Sequence, residues 1–254
     1  MARPGTAGLV LLNIGRHPEP GNDPWVTVPG EIGTAMAQCI SVAQSKGPDC
    51  MLSAADALAR LKLGNQDFVN HVADSDTLAG LGASAELVQE QRPFAIILGC
   101  SDARVPAEIV FNQGLGDLFV IRVAGNIVAP SQIGSIEFAA EMFGTRLVVV
   151  LGHTQCGAIK ATLDQLQQPS EKQSPNLRSI VDRVRPSVDA LLRTDLRHDH
   201  AALSAAAVRA NVEKSVDQLG HSSPILEHLI QTDGLRIVGA EYSVETGAVD
   251  FFSE

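Results

Sequence analysis

Two short motifs in the sequence contain side chains that bind metals and activate water. One is Cys100-Ser101-Asp102-Ala103-Arg104, with a thiol, a carboxylate and a guanidinium, and the other is His153-Thr154-Gln155-Cys156-Gly157, with an imidazole and a thiol. Two sulfurs and one nitrogen form a ligand set that suits zinc, and three protein ligands leave a fourth tetrahedral position for water. We therefore predict a catalytic zinc site formed by Cys100, His153 and Cys156.

Each motif has a simpler interpretation when it is taken alone. A buried cysteine is more often an inert apolar side chain than a metal ligand, and Asp102 with Arg104 is a common kind of structural ion pair. The combination favours a site, because packing alone does not explain three metal-binding side chains beside an acid and its basic partner. We keep the ion pair as part of the predicted mechanism.

The elements around the motifs predict an α/β fold. Three short runs rich in Ile and Val, at 94–98, 118–123 and 147–151, are typical of buried parallel strands. Between them, residues 106–111 and 134–143 have helical spacing of apolar side chains. Because ligands bind at the carboxyl ends of parallel strands, and both motifs follow such strands, we expect the motifs to converge on one point.

The remaining elements complete a mostly parallel central sheet that is flanked by helices, in a single domain with an N-terminal extension. Downstream we predict a helix over 205–219 closed by Gly220, another that opens at Ser223-Pro224, and a hairpin of strands 235–242 and 248–252. Upstream, Ser53 caps a predicted helix whose apolar residues run from Ala54 to Phe68. Residues 1–50 hold six of the thirteen prolines, so we predict a poorly ordered extension at 1–50 and a catalytic domain at 51–254.

Composition excludes several classes of partner. The formal net charge of −10 argues against nucleic acid and anionic lipid, which both require clustered basic side chains. No apolar run approaches the roughly 20 residues of a membrane span, and no secretory signal is visible at the start. The four cysteines, Cys39, Cys50, Cys100 and Cys156, lack the dense spacing of a disulfide scaffold. We expect a reducing, cytoplasmic setting without a membrane or nucleic-acid partner.

Two other patterns are weaker candidates for a site. Gly114-Leu115-Gly116 resembles part of a dinucleotide-binding loop, but it lacks the third glycine and precedes its strand, so a turn is favoured. His198 and His200 lie in a stretch of charged residues, where a solvated surface is the better interpretation than a metal site.

The two motifs resemble those of the beta-class carbonic anhydrases. The resemblance continues through 116–122 and 136–138, and more loosely over about 52–252. It implies reversible hydration of CO2 to bicarbonate and a proton, with one Zn2+ per subunit on Cys100, His153 and Cys156. It also implies a homodimer or higher homo-oligomer and a catalytic pair of Asp102 and Arg104. In a closed form of such a site, Asp102 itself becomes the fourth zinc ligand.

The resemblance also implies a pocket for CO2. Gln91 stands where one group of the family has a glutamine that donates a hydrogen bond to the substrate, and Ile97 replaces the tryptophan of the other group. The remaining pocket residues would be Phe119, Ala124, Phe138 and Gly157. This sequence departs from the family at Phe138, where plant-like members have tyrosine, and at 122–126, which is a variant of a more usual Arg-Asn motif.

Two other functions are compatible with the same residues. A non-catalytic, zinc-stabilised binding or scaffold protein would explain the ligands but not the adjacent acid and arginine. A hydrolase of CS2 or COS would use the same zinc site. Measurement of CO2 hydration separates these functions.

Overall fold

A five-stranded sheet is the centre of the fold in the computed structural model, which describes residues 52–71, 91–169 and 174–253. Its strand order is β2-β1-β3-β4-β5. The strands are β1 (Ala95–Gly99), β2 (Leu118–Arg122), β3 (Leu147–His153), β4 (Arg236–Tyr242) and β5 (Val249–Phe252). All neighbouring pairs are parallel except β4 with β5, which is antiparallel. The predicted α/β class with a mostly parallel sheet is confirmed.

Seven helices surround this sheet in the described part of the chain. They are α1 (Ala54–His71), α2 (Ala107–Val110), α3 (Pro130–Met142), α4 (Gly157–Gln167), α5 (Pro175–Val188), α6 (His200–His221) and α7 (Pro224–Thr232). Short 3-10 turns lie at Ala124–Asn126, Leu191–Arg193 and Asp195–His198. Some helix starts are capped by side-chain oxygens, as at Ser223, whose Oγ accepts a hydrogen bond from the Leu226 amide at 3.2 Å. Helices α2, α3 and α4 begin without such a cap.

Alternate residues of the strands pack on opposite faces of the sheet, as period-two side-chain geometry requires. Ile97 and Val149 face α1, whereas Ile96 and Val148 face α3, α6 and α7. Both β1 and β3 are fully buried, which explains their continuous apolar runs. A third apolar cluster, which includes Ile159, Val184 and Leu203, packs around the two motif cysteines.

Strand register brings the two motifs to one edge of the sheet. Gly99 pairs with Leu151, so Cys100 leaves β1 beside the last residues of β3. Gly152 allows α6 to pack closely there, since a Cβ atom at this position would lie 2.5 Å from Cγ2 of Val212. The predicted convergence of the motifs therefore follows from the parallel pairing.

Several details differ from the sequence-based expectations. The helix predicted at 205–219 begins at His200, because the Asp199 carboxylate caps it, and passes through Gly220 to end at His221. Helices α4 and α5 were not predicted, although Ser174-Pro175 is a typical helix start. The turn at Gly114-Leu115-Gly116 is confirmed and leads into β2.

Two further expectations concern regions away from the sheet. His198 and His200 are exposed, as predicted. The predicted extension at 1–50, with Cys39 and Cys50, lies outside the described residues. None of the described helices combines the length and the apolar composition that crossing a bilayer requires.

Candidate metal centre

The three predicted ligands meet at the carboxyl end of the sheet. Cys100 follows β1, His153 ends β3, and Cys156 immediately precedes α4. Their ligand atoms all lie within 4.8 Å of one another, and the two sulfurs are 3.9 Å apart. All three residues are buried. Within the described residues, no other group of three His, Cys, Asp or Glu side chains is arranged in this way.

The state of the imidazole fits a metal ligand. Nδ1 of His153 lies 2.8 Å from the Thr154 carbonyl oxygen, so the ring donates from Nδ1 and Nε2 is the nitrogen that is available to a metal. That Nε2 is buried and has no hydrogen-bond partner, which is costly for a polar atom. A tetrahedral zinc ion with Zn–S bonds of about 2.3 Å holds two sulfurs about 3.8 Å apart. The observed sulfur separation and the unpaired nitrogen therefore fit zinc.

The two cysteine sulfurs interact directly, at 3.9 Å. The hydrogen bond from the Cys156 thiol lowers the pKa of Cys100, although burial opposes this shift. The same hydrogen bond raises the pKa of Cys156, because its proton is held by the neighbouring thiolate. The Gly125 amide also lies 3.4 Å from Cys100 Sγ. A divalent cation would displace the thiol protons, since metals bind thiolates.

Asp102 and Arg104 form a bidentate ion pair at the edge of this group. Arg104 donates from Nε to Oδ1 at 2.9 Å and from Nη2 to Oδ2 at 2.8 Å. These hydrogen bonds hold the pKa of Asp102 well below its usual range. Oδ2 of Asp102 lies 3.9 Å from His153 Nε2. The carboxylate is therefore close to the three ligands but is turned towards Arg104.

Comparison with known proteins agrees with this geometry. The family model for carbonic anhydrase matches residues 95–249, which is more than half of the chain and contains both motifs. The chain belongs to the carbonic anhydrase family. It is 40% identical over 176 residues to a carbonic anhydrase of Mycolicibacterium smegmatis. The aligned residues cover 68% of this chain and 82% of that protein. Carbonic anhydrase 2 of Mycobacterium tuberculosis is 39% identical over 200 residues, which cover 74% of this chain and 87% of that protein.

Solved structures place this carbonic anhydrase in the beta class. The beta-carbonic anhydrase of Coccomyxa, solved with acetazolamide, has a TM-score of 0.58 at 25% identity and covers 76% of this chain and 85% of its own. A tetrameric beta-carbonic anhydrase of Sordaria macrospora has a TM-score of 0.60 at 21% identity. That match covers 76% of this chain and 94% of the Sordaria chain. The resemblance drawn from the two motifs is confirmed.

Two residues support the site without having been assigned a role from the sequence. Arg122, at the end of β2, donates from Nε to the Cys100 carbonyl at 3.0 Å and from Nη2 to the Asp102 carbonyl. Gly125 has a φ of 70°, and a Cβ there would lie 3.2 Å from that of Ala158. Both depend on contacts between loops, so spacing in the sequence did not reveal them. Their position at and just beyond the carboxyl end of an apolar strand was the available signal.

The predicted pocket residues of this carbonic anhydrase fall into two sets. The three predicted ligands, Cys100, His153 and Cys156, are called the metal group below. Gly157 directly follows Cys156, and Ala124 directly precedes Gly125, whose amide lies beside Cys100. Gln91 is exposed and precedes β1, while Phe119 pairs with Ile96 near the amino end of that strand.

Phe138, on α3, belongs with Gln91 and Phe119 in the second set. Its ring centroid is 6.2 Å from that of Phe119. Phe119 precedes Arg122, the last residue of β2, by three positions, which is a rise of about 10 Å along the strand. One chain therefore does not bring these residues to its own metal group, because Phe119 is near the opposite end of β2, Phe138 packs beside Phe119, and Gln91 precedes β1.

Proposed function

We propose that this carbonic anhydrase catalyses the reversible hydration of CO2 to bicarbonate and a proton in a zinc-dependent reaction. The observation that carries the proposal is the unpaired, buried Nε2 of His153 beside two cysteine sulfurs 3.9 Å apart. Cys100, His153 and Cys156 would hold one zinc ion per subunit. When bound, zinc supplies positive charge that lowers the pKa of a coordinated water towards neutrality.

Asp102 and Arg104 would orient the reacting water. Oδ2 of Asp102 is near His153 Nε2, and it is placed to accept a hydrogen bond from a water at the metal group. Arg104 keeps this carboxylate ionised and prevents it from turning into the group. Because both thiolates would offset the charge of the metal, we expect the activity to favour alkaline pH.

The substrate pocket would be completed by a second copy of the chain. Gln91, Phe119 and Phe138 are too far from their own metal group to contact CO2 there, whereas Ala124 and Gly157 are close to it. Phe138 is 49% exposed and Met142, one turn later on α3, is 67% exposed. An exposed apolar helix face favours association between subunits. We therefore infer a homodimer or larger homo-oligomer in which each subunit supplies aromatic side chains to its neighbour.

The decisive test is stopped-flow measurement of CO2 hydration by the purified, zinc-replete protein. We expect a rate well above that of the buffer, increasing with pH. A zinc-containing protein with no activity above buffer would instead support the scaffold function. Parallel assays with CS2 and COS separate the remaining alternative, because hydrolysis of these compounds without CO2 hydration would contradict the proposal.

Substitution at the exposed face of α3 tests the predicted oligomer. We expect Phe138→Asp to weaken subunit association by roughly 100-fold, or about 3 kcal/mol, because it introduces an unpaired charge into an apolar interface. Light scattering should show smaller particles, and hydration should fall while the zinc content stays constant.

Leu177→Asp is a matched control on α5, where the leucine is 57% exposed. We expect this variant to keep the wild-type particle size and activity. A Phe138→Asp protein with full size and full activity would contradict the shared pocket.

A further inference from the structure

The two residues between the metal ligands, Thr154 and Gln155, each place a backbone carbonyl that the site uses. The Thr154 carbonyl oxygen lies 2.8 Å from His153 Nδ1, and the Gln155 carbonyl oxygen lies 3.4 Å from Arg104 Nη2. Gln155 has a φ of 56°, in the left-handed region that is unfavourable for residues other than glycine. Such a conformation persists only where surrounding contacts hold it. The loop from His153 to Cys156 therefore requires an anchor.

Glu245, in the turn between β4 and β5, contacts both residues of this loop. Its Oε2 accepts a hydrogen bond from Thr154 Oγ1 at 2.6 Å, and its Oε1 accepts one from Gln155 Nε2. The bond from Thr154, with the carboxylate's other hydrogen bonds, lowers the pKa of Glu245 to about 2. The carboxylate is thus charged throughout the neutral range and remains an acceptor for both donors.

The turn that carries Glu245 is itself fixed to the rest of the fold. Ser243 Oγ donates to Glu245 Oε2 at 3.1 Å, and the Gly247 amide donates to the Ser243 carbonyl at 2.9 Å. The buried Asn65 of α1 donates from Nδ2 to the Gly247 carbonyl at 2.9 Å. Through Glu245, the loop between the two ligands is hydrogen-bonded to a turn that is itself held by the rest of the fold.

We propose that Glu245 is a positioning residue that determines how tightly this protein binds zinc, an inference that rests on the proposed function. With Glu245 in place, Thr154 directs the lone pair of His153 and Gln155 supports Arg104. Without it, Gln155 is free to leave its left-handed conformation, and His153 and Cys156 lose their mutual placement. A residue with a purely structural role would affect the stability of the metal-free protein and leave its zinc affinity unchanged.

The test is zinc affinity of the full chain, measured by competition with a chromophoric chelator. We expect Glu245→Ala to bind zinc about tenfold more weakly, at the lower end of the roughly 10–100-fold effects of residues that orient metal ligands. The zinc-dependent rise in melting temperature should decrease accordingly, in addition to the stability that the metal-free protein loses with these hydrogen bonds. Glu213→Ala, which removes an exposed carboxylate of α6, is the matched control and should keep wild-type affinity.

A double variant tests whether Glu245 acts through the loop. Gln155→Ala should also weaken zinc binding, and the variant with both substitutions should be no weaker than the worse single one. Zinc affinity of Glu245→Ala within twofold of the wild type, or losses that add in the double variant, would overturn the inference. A wild-type protein that binds no zinc would instead refute the proposed function, so the two failures are distinguishable.

Discussion

Replacing Cys156 by serine is expected to remove zinc from the protein and to reduce CO2 hydration to the buffer rate. A serine hydroxyl is a poor ligand, and the single thiolate and imidazole that remain bind the ion too weakly to keep it. The loss of activity should be at least about a thousandfold, because no other described group supplies an activated water. Elemental analysis and stopped-flow hydration measure both effects, and Cys100→Ser should behave in the same way.

The third ligand and a matched control sharpen this prediction. His153→Ala leaves both thiolates in place, so we expect weakened rather than abolished zinc binding. The same chemical change at Cys39 or Cys50, which lie outside both motifs, should leave the zinc content at about one per subunit. Full zinc content in Cys100→Ser or Cys156→Ser would exclude the proposed metal centre.

The ligand set was predictable because it depends on local patterns. The apolar runs before Cys100 and His153 specify buried strands, and parallel pairing then brings the strand ends together at one edge. No detailed knowledge of the loops is needed for that step. The pairing of Gly99 with Leu151 supplies the register that makes the two sulfurs and the imidazole neighbours.

Other features depend on contacts that sequence spacing does not encode. Glu245 lies 90 residues from Gln155, and their hydrogen bond forms only because β3 and β4 are adjacent strands. Gln155 itself adopts a left-handed conformation that nothing in its residue type indicates. Long-range pairing of this kind has to be observed rather than predicted.

The substrate pocket exposes a different limit of sequence reasoning. Phe119 and Phe138 were predicted to contact CO2, yet they lie at the end of the strands opposite to their own metal group. A motif identifies which residues line a site but not which copy of the chain supplies them. The exposed face of α3 is the structural feature that raises this question.

Substitution of Arg104 by alanine is expected to preserve zinc and to remove most of the activity, by about 100-fold or more. Arg104 makes both side-chain hydrogen bonds that hold the Asp102 carboxylate away from the three ligands. In the variant only the backbone amide of residue 104 still donates to Oδ1, at 3.0 Å, so the carboxylate can turn towards the ligands, become a fourth ligand and exclude water. Asp102→Ala should also keep zinc, with lower activity because orientation is lost. The double variant should be no worse than the worse single one.

The pH dependence separates loss of position from loss of charge at Asp102. Arg104 depresses the pKa of this carboxyl, so the wild-type group stays ionised as pH falls until well below its usual range. Without the guanidinium the pKa returns towards its ordinary value of about 3.9, which is still far below neutral pH. Asp102 is therefore ionised in Arg104→Ala at pH 7, and the expected loss there must come from its changed position.

Hydration rates and zinc contents from pH 6 to 9 test this argument. The matched control is Arg209→Ala, which removes another arginine–aspartate pair, to Asp250 at 2.9 Å, on α6 and β5. We expect this control to retain wild-type rates, whereas Arg104→Ala should be slow across the whole range and slowest at acid pH, where water competes least well with the carboxylate. A wild-type rate in Arg104→Ala would mean that the bidentate pair stabilises the loop and has no part in the reaction.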